Sequence, residues 1–216
     1  MIPDWATISS LATAGGTLVL AVATFASVRS ANRAARAAEL SLLEGLRPLL
    51  VPSRRQDPPE KISFVDQHWL KVSGGEGLIE AGDEVVYLAI ALRNVGRGMA
   101  VLHGWAAREH GDSATAPDHA PLADFRRLTR DLYVPAGDLG FWQGALRDPS
   151  EKLYGLARDC AERDEPLTVE LLYGDHEGGQ RTVTRFSLLP MRAEDGRRLR
   201  LAVVARHWNL DRDDPR

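Results

Sequence analysis

The sequence predicts a mainly β fold: an antiparallel β-sandwich of immunoglobulin-like type with one inserted helix, carried behind a long N-terminal helix. Three observations predict it. Residues 5–28 hold no charge, and Arg29, Arg33 and Arg36 follow at once. After Pro48 the apolar residues fall in many short runs, with turn residues recurring every 8–12 residues or so, as in sandwiches. One segment, 150–163, instead has helical periodicity.

Length and composition agree with one anchor plus one folded domain. The chain has 216 residues, 44% hydrophobic and 26% charged, which excludes wholesale disorder. Its charge is uneven. Residues 1–55 hold six arginines against three acids, net +3, whereas the remainder has 21 basic and 27 acidic residues, net −6. A basic collar before a mildly acidic domain suits anionic lipid and does not suit nucleic acid, which would call for a basic domain face. Only Lys61, Lys71 and Lys152 among the 27 basic residues are lysine, a bias that reads as GC-rich codon usage. The single cysteine, Cys160, cannot form an internal disulfide, in keeping with a reducing compartment.

Residues 8–28 supply 21 uncharged positions, eight of them Ile, Leu, Val or Phe, five Ala and eight Ser, Thr or Gly. A bilayer core takes about 20 such residues. The reading is a transmembrane helix over 1–28. A cleaved signal peptide, with Ala21-Val22-Ala23 as its processing site, is the alternative, although only Asp4 precedes the run where positive charge belongs. Arginine on the C-terminal side places the domain in the cytoplasm and the N-terminus outside an inner membrane. Trp5, Arg29, Arg33 and Arg36 are the expected membrane-interface residues. Ser9, Ala12, Gly16 and Ala23 lie near one helical face and offer a contact between copies.

Residues 29–47 read as a helical stalk ended by Pro48. Val28, Ala31, Ala35, Ala38 and Leu42 form a seam for pairing two stalks; alternatively Leu40, Leu42, Leu43 and Leu46 pack on the domain. The domain is expected over 48–210, with a polar tail at 211–216. Strands are expected at 49–51, 61–65, 69–72, 85–92, 99–107, 132–134, 167–173, 181–188 and 199–208. Residues 85–92, VVYLAIAL, are apolar on both faces, as in a strand covered on two sides. Residues 74–82 and 93–98 read as glycine turns, the second a hairpin or bulge whose glycines take positive φ. Residues 109–124 read as a surface loop and 137–144 as irregular. Asp148, Pro149 and Glu151 read as a helix start. Leu199, Leu201 and Val203 are expected to share one face of the last strand.

Catalytic patterns are missing from the sequence. No zinc spacing, dinucleotide fingerprint, phosphate loop or nucleophile elbow occurs, so no catalytic, metal or cofactor residue is assigned. Asp175-His176-Glu177 reads as a solvated turn, Cys160 as a buried thiol, and Arg192, Arg197, Arg198 and Arg200 as a solvated hairpin end. Phe141 and Trp142, with Tyr133 and Trp208, offer a ligand or partner surface or belong to the core.

The runs LRPLL at 46–50, LRNVGRGMA at 92–100, GDLGFWQGALRDP at 137–149, LLYGDHEGGQRTVTRF at 171–186 and RHWNLDR at 206–212 resemble small uncharacterised membrane-anchored proteins of actinobacteria. The resemblance implies an anchored C-terminal β-sandwich and carries no catalytic residue. The expected function is a membrane-anchored, non-enzymatic interaction module whose partners are the bilayer and a protein or a second copy. The alternative is a ligand sensor or enzyme using residues 109–144.

Overall fold

The computed structural model describes residues 5–192, 196 and 198–213, with side chains from Ser9 onward. Asp4, the Trp5 side chain, Arg197 and tail residues 214–216 lie outside the described part. The chain divides into two compact units, Met1–Gly45 and Leu46–Arg216.

The first unit is one unbroken helix, α1 (Trp5–Gly45), of 41 residues. At 1.5 Å per residue it is about 60 Å long. It contains one stretch long and apolar enough to cross a membrane. Its hydroxyls turn inward on their own helix: Thr13 donates to Ser9 O, Thr17 to Thr13 O and Thr24 to Leu20 O, at 2.8–2.9 Å. That satisfies these polar groups without water or a partner. Leu18, Val19, Leu20, Val22 and Phe25 are all exposed along it. Arg29, Arg33 and Arg36 are exposed too, about one to three turns beyond Phe25.

The second unit is mainly β. Its strands are β1 (Leu50–Pro52), β2 (Glu60–Ser63), β3 (Trp69–Val72), β4 (Glu76–Ala81), β5 (Val86–Asn94), β6 (Ala100–Glu109), β7 (Arg126–Val134), β8 (Leu139–Leu146), β9 (Leu167–Gly174), β10 (Thr182–Arg192) and β11 (Arg198–Asn209). A five-residue helix, α2 (Gly111–Thr115), lies between β6 and β7, and a longer one, α3 (Lys152–Arg163), between β8 and β9. Nine strands form one antiparallel sheet, with β8 next to β5, then β4, β11, β10, β9, β6 and β7. Along one edge of β5, β4 pairs with residues 86–90 and β1 with residues 92–94; β8 runs along the other. The sheet curls, so that Leu88, Ile90 and Leu92 of β5 meet Val169, Leu171, Phe186 and Leu188 in a single core.

The β2–β3 hairpin is a separate two-stranded sheet laid over the other face of β5. Ile62, Phe64, Leu70 and Val72 bury Tyr87, Ala89 and Ala91. This second cover is why residues 85–92 lack alternation: both faces of β5 leave water.

Several segments differ from the sequence expectation. Residues 76–81 are a strand, not a turn. Gly77 is there because a Cβ would stand 2.5 Å from the Leu188 side chain. Most of residues 137–144, expected to be irregular, belongs to strand β8, which runs from Leu139 to Leu146. Its glycines also serve packing: a Cβ on Gly140 would strike Val134, and one on Gly144 would strike Trp142 and Trp105. Strand β7 begins at Arg126 rather than Leu132. Helix α3 begins at Lys152, because Asp148 accepts the Ser150 N–H and hydroxyl at 2.9 and 2.6 Å and so closes a turn ahead of it. In β11 the better buried residues are Arg200 and Ala202, not Leu199, Leu201 and Val203.

Residues 93–98 are not a hairpin either. Strands β5 and β6 do not pair; the link carries the chain from one part of the sheet to another. Gly96 and Gly98 have ordinary φ values, and their need is space. A Cβ on Gly96 would lie 2.3 Å from Arg47 O, and one on Gly98 would overlap Leu46 O. The link is organised by Asn94, which is fully buried. Its Oδ1 accepts the N–H groups of Leu49 and Gly96 at 3.1 and 3.0 Å, and its Nδ2 donates to Gly98 O and Val134 O at 2.7 and 3.0 Å. All four hydrogen-bonding positions of the carboxamide are filled. Beside it Arg47 makes a two-point ion pair with Asp211, at 2.9 and 2.5 Å, and this bond holds the Asp211 carboxyl below its ordinary range.

Replacing Asn94 by Asp keeps the shape and turns a donor toward two carbonyl oxygens into an acceptor. Asn94→Asp is expected to lose about 2–4 kcal/mol at neutral pH. Part of that loss returns in mild acid, where the neutral acid donates once more; urea unfolding at both pH values measures it.

Tyr173 fixes β1 to the core. Its hydroxyl accepts the Leu50 N–H at 3.1 Å and lies 2.8 Å from Thr184 Oγ1, itself 2.7 Å from His207 Nδ1. Burial pushes its pKa up to about 12. The unfolded phenol ionises near its ordinary value of about 10. Stability from this group is therefore complete below that value and drains away as pH rises toward 12. Tyrosinate absorbance should show Tyr173 as the latest phenol to ionise, a phase absent in Tyr173→Phe and followed or accompanied by unfolding.

Candidate partner interface at the sheet opening

The long β6–β7 connection, residues 110–125, is fastened to the outside of the sheet. Arg185 of β10 and Glu170 of β9 are cross-strand neighbours on the face opposite Phe186. Both are almost completely buried. Arg185 Nε donates to Glu170 Oε1 at 2.7 Å, and its two terminal nitrogens donate to Ala116 O and Asp118 O at 2.7 and 2.6 Å. Glu170 also accepts Arg108 at 2.8 Å and the Ala120 N–H at 2.6 Å. Trp208 lies under the Arg185 guanidinium, 4.7 Å from ring centre to Cζ, and donates to Pro117 O at 3.1 Å. Apart from the Arg108 bond, the ion pair thus takes its remaining hydrogen bonds from the 110–125 strap, and covers itself with it.

Other sequence candidates have local structural partners. Asp175 accepts the Gly179 N–H at 2.8 Å, closing its turn, while His176 and Glu177 are exposed. No cluster of three His, Cys, Asp or Glu side chains suited to a metal occurs among the described residues. Cys160 is buried, and burial raises its pKa. Arg200, expected to be solvated, is buried and donates to Cys160 O and Glu165 O at 2.6 Å each, capping α3. Trp142 is 0% exposed and stands edge-on to Trp105, 5.2 Å between centroids. Phe141 is half-buried between the two clusters. Tyr133 is exposed and Trp208 buried, so the four aromatics do not form one groove.

The opening lies next to Trp142, where the sheet ends. Strands β7 and β8 are its terminal strands, joined by a turn at 135–138, yet they do not pair with each other. Four residues of β7, 128–131, stand opposite the single His103 of β6. Such a bulge bends its strand away from regular pairing. A cavity of about 130 Å³ results, with Trp105, Leu128, Ala145 and Phe64 among its walls.

Arginine surrounds it. Arg126 stacks over Trp105 at 5.6 Å and is held by both oxygens of Glu151, at 2.6 and 3.2 Å. Arg130 crosses the opening to Gln143 Oε1 at 2.9 Å and Ser63 O at 3.4 Å. Arg147 pairs with Asp66 at 2.7 Å. Arg127 is exposed and has no ion-pair partner among the described residues. Val65, at the hairpin tip, is 82% exposed on the lip, and Trp69 is 64% exposed on the outer hairpin face.

No protein-family model matches the chain, and no curated protein matches it.

Sequence reading missed this opening. Residues 126–130, RRLTR, are a visible arginine cluster, but they fall between the expected loop at 109–124 and the expected strand at 132–134. Val65 reads as the last residue of the strand at 61–65, whereas β2 ends at Ser63 and the bond from Gln67 N–H to Phe64 O, with the positive φ of Gln67, shows that the chain has already turned.

Removing the carboxylate beneath the strap leaves Arg185 charged, buried and short of its ionic partner. Glu170→Ala should cost about 3–5 kcal/mol. Hydrogen exchange should show the 110–125 amides losing protection before the core strands do.

Proposed function

We propose that the chain is a single-pass membrane-anchored, non-enzymatic interaction module whose immunoglobulin-like β domain faces the cytoplasm. The observation that carries this reading is the lip of the sheet opening, where exposed Val65 stands beside a ring of arginines and two strand edges that do not pair with each other, with exposed Trp69 on the outer face of the same hairpin. Large exposed apolar side chains next to positive charge are what a protein partner covers. The packing of β5 against β9 and β10 supports reading the curled sheet as two layers of a sandwich. The uncharged first part of α1, followed within the same helix by Arg29, Arg33 and Arg36, supports the anchor and its orientation.

The second reading is a sensor of a small ligand. What favours it is that the cavity is partly walled by residues within 109–144. Its volume, about 130 Å³, weighs the other way, since small-molecule pockets run to about 300–1,000 Å³.

Two measurements test the proposal. A fluorescent reporter fused after Arg216 should fluoresce, and an export-dependent phosphatase there should stay inactive; the reverse pattern overturns the orientation. A mature chain lacking its first residues through Ala23 would make the helix a signal peptide. A photoreactive amino acid at Val65 or Trp69, in the full chain in its membrane, should give a discrete protein adduct absent when it replaces exposed Asp112. Equal labelling at all three positions would sink the interaction reading.

A further inference from the structure

Resting on the interaction-module reading, we infer that the partner segment is an acidic, extended peptide that pairs with the free edge of β8 and drops an apolar side chain into the opening. Three features of the site specify that chemistry.

The first is backbone. Strand β8 bonds to β5 along residues 86–93 and, among the described residues, to no strand on its other side. A free edge recognises an extended chain through main-chain hydrogen bonds. Strand β7 does not fill the place, because its bulge at 128–131 carries it away.

The second is size. A space of about 130 Å³ with Trp105, Leu128 and Ala145 in its walls takes a side chain and not a helix. Val65 on the lip extends this apolar surface outward. In an extended segment alternate side chains point to opposite sides, so one can enter while its neighbours stay at the rim.

The third is charge. The rim carries Arg126, Arg127, Arg130 and Arg147 against Asp66 and Glu151, an excess of two positive charges on a domain that is negative overall. Arg127 has no ion-pair partner among the described residues, and Arg130 is engaged only by an amide and a carbonyl. Acidic side chains beside the inserted residue satisfy both. Charge and bulges also guard edges against aggregation, which is the competing role for these arginines.

The test uses the full chain in nanodiscs of neutral lipid and a fluorescent peptide of about eight alternating Glu and Val residues. A Lys/Val peptide is the control. Anisotropy should show salt-sensitive binding of the Glu/Val peptide alone. The double variant Arg127→Glu, Arg130→Glu, at exposed positions, should weaken it at least about tenfold. Val65→Ser should weaken it less, at unchanged salt dependence. Amide exchange should slow on β8 when the peptide is bound. The inference is overturned if neither peptide binds, or if the double variant binds as well as the parent and only aggregates more readily. It is overturned too if single-stranded DNA or phosphatidylserine vesicles compete by charge alone, with β8 exchange unchanged. A discrete adduct at Val65 together with failure of the Glu/Val peptide would leave the interaction module standing and remove the acidic strand.

Discussion

One buried carboxamide holds the places where the domain's chain changes direction. Asn94 closes β5, receives the backbone that enters β1, and ties the start of β6 and the end of β7 to the same point. Backbone bonds repeat the connection: Val95 N–H to Leu49 O, Asn94 N–H to Asp138 O and Gly137 N–H to Asn94 O. The glycines at 96 and 98 exist to let that backbone approach, since any Cβ there meets main-chain atoms that cannot move aside. A hydrophobic core tolerates repacking; a four-bond amide with no spare valence does not. The core drives collapse, and Asn94 decides which strands meet at this end.

A different economy governs the other face. Arg185 and Glu170 gain little net stability from pairing, because both charges leave water to do so. Their value is positional. The guanidinium has donors left over after Glu170, and the two carbonyls that accept them belong to residues 116 and 118. A connection that would otherwise wander is thereby fixed over Trp208. The strap is rich in polar and small residues for the same reason: its own side chains bury little, and its order comes from groups it supplies to someone else's charge.

What the sequence made legible follows from which interactions are local. The helix, the β2–β3 pair, the fully apolar strand at 85–92 and the strands at 167–173 and 181–188 all show in residue pattern, since period and turn chemistry are local properties. The strands at 76–81 and 139–146 did not show, because Gly77, Gly140 and Gly144 look like turn residues until Leu188, Val134 and Trp105 are placed against them. Asn94 and Glu170 looked like ordinary polar residues for the same reason: several of their partners lie 40–62 residues away. Arg200 looked solvated because the α3 carbonyls it caps lie 35–40 residues earlier. The site was least legible of all, being made by the absence of pairing between two neighbouring strands.

That absence is built into the register. To close the sheet, β7 would have to straighten, and four residues opposite His103 cannot become one without shifting either Leu132 or Arg127 out of its own pairing. A shift by one residue would also exchange inward and outward faces, taking Leu132 and Val134 from the core and offering it Tyr133 and Asp131. Both ends of β7 are therefore committed, Arg126 and Arg127 to β6 beside Trp105 and Val134 to Asn94. The slack must lie between them. The opening is thus the necessary remainder of two correct registers, and of its arginines Arg130 stands on the segment that has been forced outward into water.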